Sequence, residues 1–273
     1  MTTTTTDYLL NAQDISKHYG AVVALRSASL AVRPGEVHAL MGANGAGKST
    51  LVKILTGAVR PDAGTITVRG RERTAHSPAE ARRGGLVSVY QEPALIPDLD
   101  ILSNLRLTET PIEPFRHWLA ELGLPDLDLS AMARGVPLAS LRIIDLARAL
   151  AIEPDVLMLD EMTAALPANL TERVLEVLNQ MRGGDRSVIF ISHRMTEIGS
   201  VCDRATVLRE GETVGIVDVG EGSAERIVEL MLGEAVDQQE ALAERHVVAP
   251  ERRRHTPRVS VRNLSLNTRL SDV

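Results

Sequence analysis

The sequence predicts an α/β protein with a mostly parallel central sheet, an antiparallel β part at its N-terminal end and a small helical insertion. Three observations carry this. Continuous apolar runs of strand length, at 37–41, 156–159 and 187–191, alternate with segments of helical period, the pattern of strands covered on both faces. The first of these runs ends in a glycine-rich loop that opens a helix. From about 101 to 133 the texture changes to short apolar stretches broken by Pro111, Pro114 and Pro125, which marks an inserted helical unit.

Taken in order, residues 8–19 and 28–32 read as strands, and 37–41 as a buried strand. Residues 48–55 follow with helical period and stop near Gly57. Pro61-Asp62-Ala63-Gly64 is a turn leading into the β-prone 65–68, and 86–90 is another strand. The insertion, about 95–150 in all, ends in an amphipathic helix over 141–152. A strand at 156–159, a helix at 170–181, a strand at 187–191 and a short helix at 195–201 complete the alternation. Residues 206–208 and 213–217 flank Arg209-Glu210-Gly211-Glu212 as a hairpin, and 224–232 is the last helix. The N-terminal 1–7 reads as a disordered tail, and 241–257, with its charge run Glu251-Arg252-Arg253-Arg254, as a solvated linker or, less simply, a basic contact patch.

Composition narrows the function. A chain that is 44% hydrophobic and 24% charged belongs with ordinary globular proteins rather than fibrous or disordered ones. A net charge of -6 gives no general attraction to nucleic acid, and none is expected as a partner. No apolar run approaches the roughly 20 residues of a bilayer span, and the first residues lack the basic start and apolar core of a signal peptide. The chain is therefore expected in the cytoplasm. The single cysteine, Cys202, reads as a buried structural thiol.

Gly42-Ala43-Asn44-Gly45-Ala46-Gly47-Lys48-Ser49 matches G-x-x-x-x-G-K-[ST], and Thr50 follows it. The chemistry needs each part. Glycines let several backbone N–H groups turn toward one phosphate chain, and the helix opening at Lys48 adds its positive end. Lys48 is expected to reach the β- and γ-phosphates of ATP, and the Ser49 hydroxyl to ligate Mg²⁺. The run 156–159 ends in Asp160 and Glu161. In a parallel sheet the ligand crevice lies at the carboxyl ends of the strands, so Asp160 is expected to help hold Mg²⁺ and Glu161 to act as general base on the attacking water.

With these residues in hand, the chain resembles the ABC ATPases over roughly 8–235. The resemblance implies a P-loop NTPase fold and three further site residues. Tyr19, before the loop, matches the aromatic that stacks on adenine, against the plainer reading of a core tyrosine. Gln91, in Val89-Tyr90-Gln91-Glu92-Pro93, matches the glutamine that contacts Mg²⁺ and water and couples to the membrane partner. His193, in Phe190-Ile191-Ser192-His193, matches the switch histidine at the γ-phosphate. No role falls to His18, His76 or His117. Within the family, Asp160-Glu161-Met162-Thr163-Ala164-Ala165-Leu166 and Ser192-His193-Arg194-Met195-Thr196-Glu197-Ile198 look most like the tandem ATPases of ribose, xylose and galactose importers. Such a resemblance implies membrane permease subunits, a second ABC half, indirect contact with a solute-binding protein, and a place on the inner face of the cell membrane. Residues 8–240 would form the nucleotide-binding domain. Residues 258–266 echo 9–16 in pattern, by chance or as a repeat, and 258–273 would then open a second half.

Two departures stand out. Where the family carries Leu-Ser-Gly-Gly-Gln, this chain has Val136-Pro137-Leu138-Ala139-Ser140. Pro137 has neither hydroxyl nor N–H, and Ser140 is left as a possible helix cap. The aspartate of the loop after the catalytic glutamate is also missing, since Ala164-Ala165-Leu166 runs into Pro167. The expected function is ATP hydrolysis energising an importer, with slow turnover by the chain alone. The alternatives are a nucleotide-binding half with little or no hydrolysis of its own, and a soluble ABC protein acting on ribosomes or DNA.

Overall fold

The computed structural model describes residues 8–73 and 77–233. The expectations for 1–7, His76, the linker at 241–257 and the repeat at 258–273 lie outside them. The first strand pair, β1 (Leu10–Tyr19) and β2 (Val22–Val32), is antiparallel, with Leu10 opposite Val32 and Tyr19 opposite Val22. Strand β2 is longer than the apolar run predicted: 22–27 belong to it as well, and although Leu25 is buried, the exposed Val22, Val23, Arg26 and Ser27 break the apolar pattern there. Strand β3 (Val37–Met41) leads into helix α1 (Lys48–Leu55), both as predicted. Strands β4 (Ala63–Val68) and β5 (Arg71–Glu72) extend the antiparallel edge. Helix α2 (Pro78–Arg83), too short to show a helical period in the sequence, is one short turn-and-a-half capped by Ser77 accepting from the Glu80 N–H, and strand β6 (Leu86–Val89) follows.

The insertion holds α3 (Ile101–Leu107), capped by the Asp100 carboxylate, and α4 (Ile112–Glu121). Pro114 is tolerated because it stands in the first turn of α4, where no intrahelical N–H is needed. Helix α5 runs Leu138–Ala151. It therefore starts three residues before the predicted point, with Pro137 as its N-cap residue. Ser140 lies inside the first turn and is not the cap, because the chain is already helical at Leu138. Then come β7 (Val156–Asp160), α6 (Ala168–Met181), β8 (Ser187–Ile191), α7 (Met195–Val201), the hairpin β9 (Arg204–Arg209) and β10 (Glu212–Asp218), and α8 (Ser223–Leu232). No described helix is long and apolar enough to cross a membrane.

The described strands form one sheet in the order β5-β4-β1-β2-β10-β9-β3-β8-β7-β6. Strands β9, β3, β8, β7 and β6 are mutually parallel, and antiparallel pairing is confined to the N-terminal strands and the β9–β10 hairpin. The period of two along each central strand divides the apolar residues between two cores. Val37 and Ala39 of β3, Leu157 and Leu159 of β7, and Val188 and Phe190 of β8 face one core. Leu40, Val156, Met158, Ile189 and Ile191 face the other. Helices α4, α5 and α6 close the first core with Phe115, Ile143, Leu146, Val174 and Leu178. Helix α1 and the inner faces of β1 and β2 close the second with Leu51, Leu55, Leu10, Ile15 and Leu30. Each such side chain, fully withdrawn from water, stabilises the fold by about 1.5–3 kcal/mol.

Candidate functional site

The parallel strands carry the predicted site residues off their carboxyl ends. Strand β8 lies between β3 and β7, with Ala39 opposite Phe190 and Asp160 opposite Ile191. The loop after β3 (42–47), the segment after β8 (192–194) and the segment after β7 (161–166) therefore emerge side by side. Strand β6 lies beyond β7, Val89 opposite Leu159, and Gln91 follows two residues later.

The loop 42–47 needs its glycines. Gly47, at φ 106, is the N-cap residue of α1, and a Cβ there would stand 2.5 Å from Leu25 Cδ2 and 2.9 Å from the Ala24 oxygen. Gly42, at φ 149, would place a Cβ 2.4 Å from the Leu208 oxygen. The first N–H groups of α1 have no intrahelical acceptor, and a helix N-terminus of this kind suits an anion. A cleft of about 380 Å³ opens here, lined by Val22, Val23 and Ala24 of β2, by Asn44, Gly45, Gly47, Lys48, Ser49 and Thr50, and by Glu161. The β2 residues carry no sequence signal, since nothing in a Val-Val-Ala run announces a ligand.

Lys48 is buried, and its Nζ donates to the carbonyls of Gly42 (2.7 Å) and Ala43 (3.2 Å). Burial lowers its pKa, and the nearby Glu161 and Asp160 carboxyls partly offset this. Asp160, at the end of β7, is shifted the opposite way: burial raises its pKa first and the Glu161 charge second, against the pull of Lys48, Lys53 and His193. Glu161 leaves the strand at φ 51, in the left-handed region, before a single 3-10 turn (Met162–Ala165). Its N–H donates to the Ile191 oxygen (3.0 Å), and its Oε1 meets His193 Nε2 at 2.6 Å. Topology thus joins two residues 32 positions apart in direct contact.

The remaining predicted residues stand outside the cleft. Tyr19 is 47% exposed at the end of β1, beside Val22, which lines the cleft, and Lys17 Nζ lies 5.7 Å from its ring centre. It is not a core tyrosine. Gln91 is exposed beyond β6. Gly42, Ala43 and Ala46 shape the loop from behind, with the Ala46 N–H donating to the Ala43 oxygen (3.0 Å).

Among the described residues no three His, Cys, Asp or Glu side chains converge as a metal cage. A divalent cation with one or two protein ligands still fits the donors present. Ser49 offers an exposed hydroxyl, and Asp160, at the end of β7 beside Glu161, offers carboxylate oxygens, the hard donors such a cation takes.

The described part of the signature-like segment offers little to an anion. Pro137 caps α5 without a side-chain hydrogen bond, and Leu138 beside it is 55% exposed. Pro167 takes the same N-cap place on α6, its carbonyl accepting from the Leu170 and Thr171 N–H groups.

Several known proteins are similar to this chain. The family model described as "ABC transporter" matches residues 25–164. "Ribose import ATP-binding protein RbsA 1" of Rhizobium johnstonii is 37% identical over 97% of this chain and 53% of its own length. "Ribose import ATP-binding protein RbsA 2" of Streptomyces avermitilis is 40% identical over 84% of this chain and 48% of its own. Among solved structures, a nucleotide-free ATP-binding cassette from an ABC transporter superposes with a TM-score of 0.73 at 23% identity, covering 83% of this chain and 100% of that one. At that identity the likeness speaks for the fold. The chain spans about half the length of the curated relatives it matches.

Proposed function

Because this chain belongs to the ABC transporter family, we propose that it binds Mg-ATP on the 42–50 loop and hydrolyses it as the nucleotide-binding subunit of a sugar importer. The observation that supports hydrolysis most directly is the 2.6 Å contact between Glu161 and His193 beside the cleft that Lys48 and Ser49 line. The relatives named for ribose import support the sugar class.

In this reading the N–H groups of the loop and the Lys48 ammonium hold the β- and γ-phosphates, and Tyr19 offers its exposed ring to the adenine. Ser49 and Asp160, with Gln91, would hold Mg²⁺, which when bound neutralises charge on the β- and γ-oxygens. Glu161 accepts a proton from the attacking water as its oxygen bonds to the γ-phosphorus and the bond to the bridging oxygen of ADP breaks. His193 donates to the γ-phosphate and steadies Glu161 through their contact. The subunit would sit against membrane permease subunits on the inner face of the membrane, served indirectly by a solute-binding protein.

Pro137 favours a qualification of this reading. The family resemblance implies that the signature serine and glycine N–H groups of one cassette grip the γ-phosphate held by the other. The segment 136–140 has neither hydroxyl nor N–H at Pro137, so a different cassette with an intact signature would complete this site. The chain alone is then a nucleotide-binding half with turnover near background. Calorimetry with Mg-ATP and steady-state turnover, on wild type beside Lys48→Ala and Glu161→Gln, tests both points. Expected are ATP binding by wild type and Glu161→Gln, an affinity lower by about 10–100-fold for Lys48→Ala, and near-background turnover throughout. Turnover by the chain alone at about 1–10² per second, abolished in Glu161→Gln, would overturn the need for a partner. Absence of ATP binding by wild type would overturn the nucleotide reading itself.

A further inference from the structure

Among the buried carboxyl groups that this mechanism does not use, Glu197 lies nearest in sequence to His193. Glu197, on α7, is 5% exposed. Its Oε2 accepts from the Thr163 hydroxyl (2.8 Å) and the Ser192 hydroxyl (2.6 Å), and its Oε1 from Arg194 Nη1 (3.1 Å). The same arginine donates through Nη2 to the Ala164 carbonyl (3.2 Å), and its N–H donates to the Ser192 hydroxyl (3.1 Å). Thr163 belongs to the 3-10 turn that follows Glu161, and Ser192 immediately precedes His193. A single side chain therefore ties the segment carrying Glu161 to the segment carrying His193.

Such a tie is needed there. Past Asp160 the chain leaves the sheet ladder in a left-handed step, and the turn 162–165 holds no strand partner of its own. Burying a carboxylate is costly unless its oxygens are fully engaged. Here three donors, two hydroxyls and a guanidinium, engage both oxygens. An amide at the same position would offer one carbonyl oxygen and turn an NH₂ toward another donor.

We propose that Glu197 is a positioning residue for ATP hydrolysis: it clasps the 161–166 and 192–194 segments in register so that Glu161 and His193 stay in contact. This rests on the hydrolytic reading above. It predicts a defect in turnover rather than in nucleotide capture, because neither Glu197 nor its hydroxyl partners line the phosphate cleft.

The test uses Thr163→Val, Ser192→Ala, the double variant, Glu197→Gln and Glu197→Ala, beside Glu161→Gln. In the native membrane complex each single hydroxyl variant is expected to lower kcat by about 3–10-fold with KM for ATP within about twofold, and the double variant to be no worse than the weaker single, since both cut one clasp. Glu197→Ala is expected to cost about 10²-fold, the scale of a displacement of about 1 Å between reacting groups, with Glu197→Gln in between. On the purified chain, the His193 ring resonances should move in Thr163→Val as they do in Ser192→Ala, although Thr163 does not touch the ring. This readout survives if Glu197→Ala fails to fold. Unchanged kcat and unchanged His193 resonances in the hydroxyl variants would overturn the clasp. So would losses of kcat matched by equal losses of ATP affinity and Tm, which would make Glu197 part of the framework only. If Glu161→Gln retains wild-type turnover, the hydrolytic reading fails; if it loses turnover while the clasp variants keep theirs, only this inference fails.

Discussion

At the scale of single residues, the site carries strain that stability alone would not select. Glu161 adopts φ 51, which costs a residue with a Cβ about 1–2 kcal/mol, and it stands next to Asp160, whose carboxyl is already pushed up by burial and by the Glu161 charge. Asparagine tolerates this backbone and carries no charge. Glu161→Asn is therefore expected to melt no lower than wild type, and up to about 4 °C higher by the usual scaling of roughly 2–4 °C per kcal/mol, while losing turnover. Calorimetric melting checks it; a clear fall in Tm would mean that the Glu161–His193 contact outweighs the strain. Gly47 shows the opposite dependence. Its Cβ position is taken by Leu25 Cδ2 at 2.5 Å and the Ala24 oxygen at 2.9 Å, and its φ is 106. Gly47→Ala must reshape the loop, and Mg-ATP affinity is expected to fall by about 10-fold or more, read by calorimetry.

At the scale of elements, β3 is anchored at its far end from the site. His38, fully buried, meets Glu36 Oε1 through Nδ1 (2.9 Å) and Thr206 Oγ1 through Nε2 (2.7 Å), and Arg204 Nε donates to Glu36 Oε1 (2.6 Å). This ties β3 to β9. Burial lowers the His38 pKa, against the pull of Glu36. Burial would raise Glu36, but its hydrogen bonds from His38 and Arg204 hold it down to about 2. The signs give two windows. Because the folded His38 pKa lies below the ordinary 6.5, the unfolded chain takes up the proton first, and stability falls as pH drops below 6.5 by at most about 1.4 kcal/mol per pH unit. Glu36 adds a second loss as pH falls from 4.5 towards about 2. Denaturant midpoints measured from pH 8 to pH 5 should fall below 6.5 in wild type. In His38→Asn the curve should be flatter over that range, and an equal slope would remove His38 from the account.

At the scale of the molecule, two cores share one sheet. Phe190 of β8 is fully buried and belongs to the core under α5 and α6, while its neighbours Ile189 and Ile191 belong to the other. A cavity at Phe190 weakens the strand on which both cores rest. Phe190→Ala is expected to cost about 3–5 kcal/mol and to lower Tm by roughly 6–20 °C. Trp118, the only tryptophan, packs from α4 against the same core. Its fluorescence and the far-UV signal should melt together in the variant, and separate midpoints would show that the helical insertion unfolds on its own.

Neighbouring residues set the local pieces: the bounds of β3, α1, β8 and α7, the glycine loop with Lys48 and Ser49, and the acids at the end of β7. These are legible because burial of one face and phosphate-binding chemistry impose fixed spacings on neighbouring residues. Long-range packing set the strand order that places β8 between β3 and β7, and with it the meeting of His193 and Glu161. Packing alone decided that 22–27, with only Leu25 buried among them, continue β2, that Ser140 falls inside α5, and that Glu197 bridges two loops. The reason is physical. Periodicity records which face of an element is buried, whereas the partner it is buried against is chosen by packing between residues far apart in the chain, and a polar side chain reads the same in sequence whether it meets water or a buried hydroxyl.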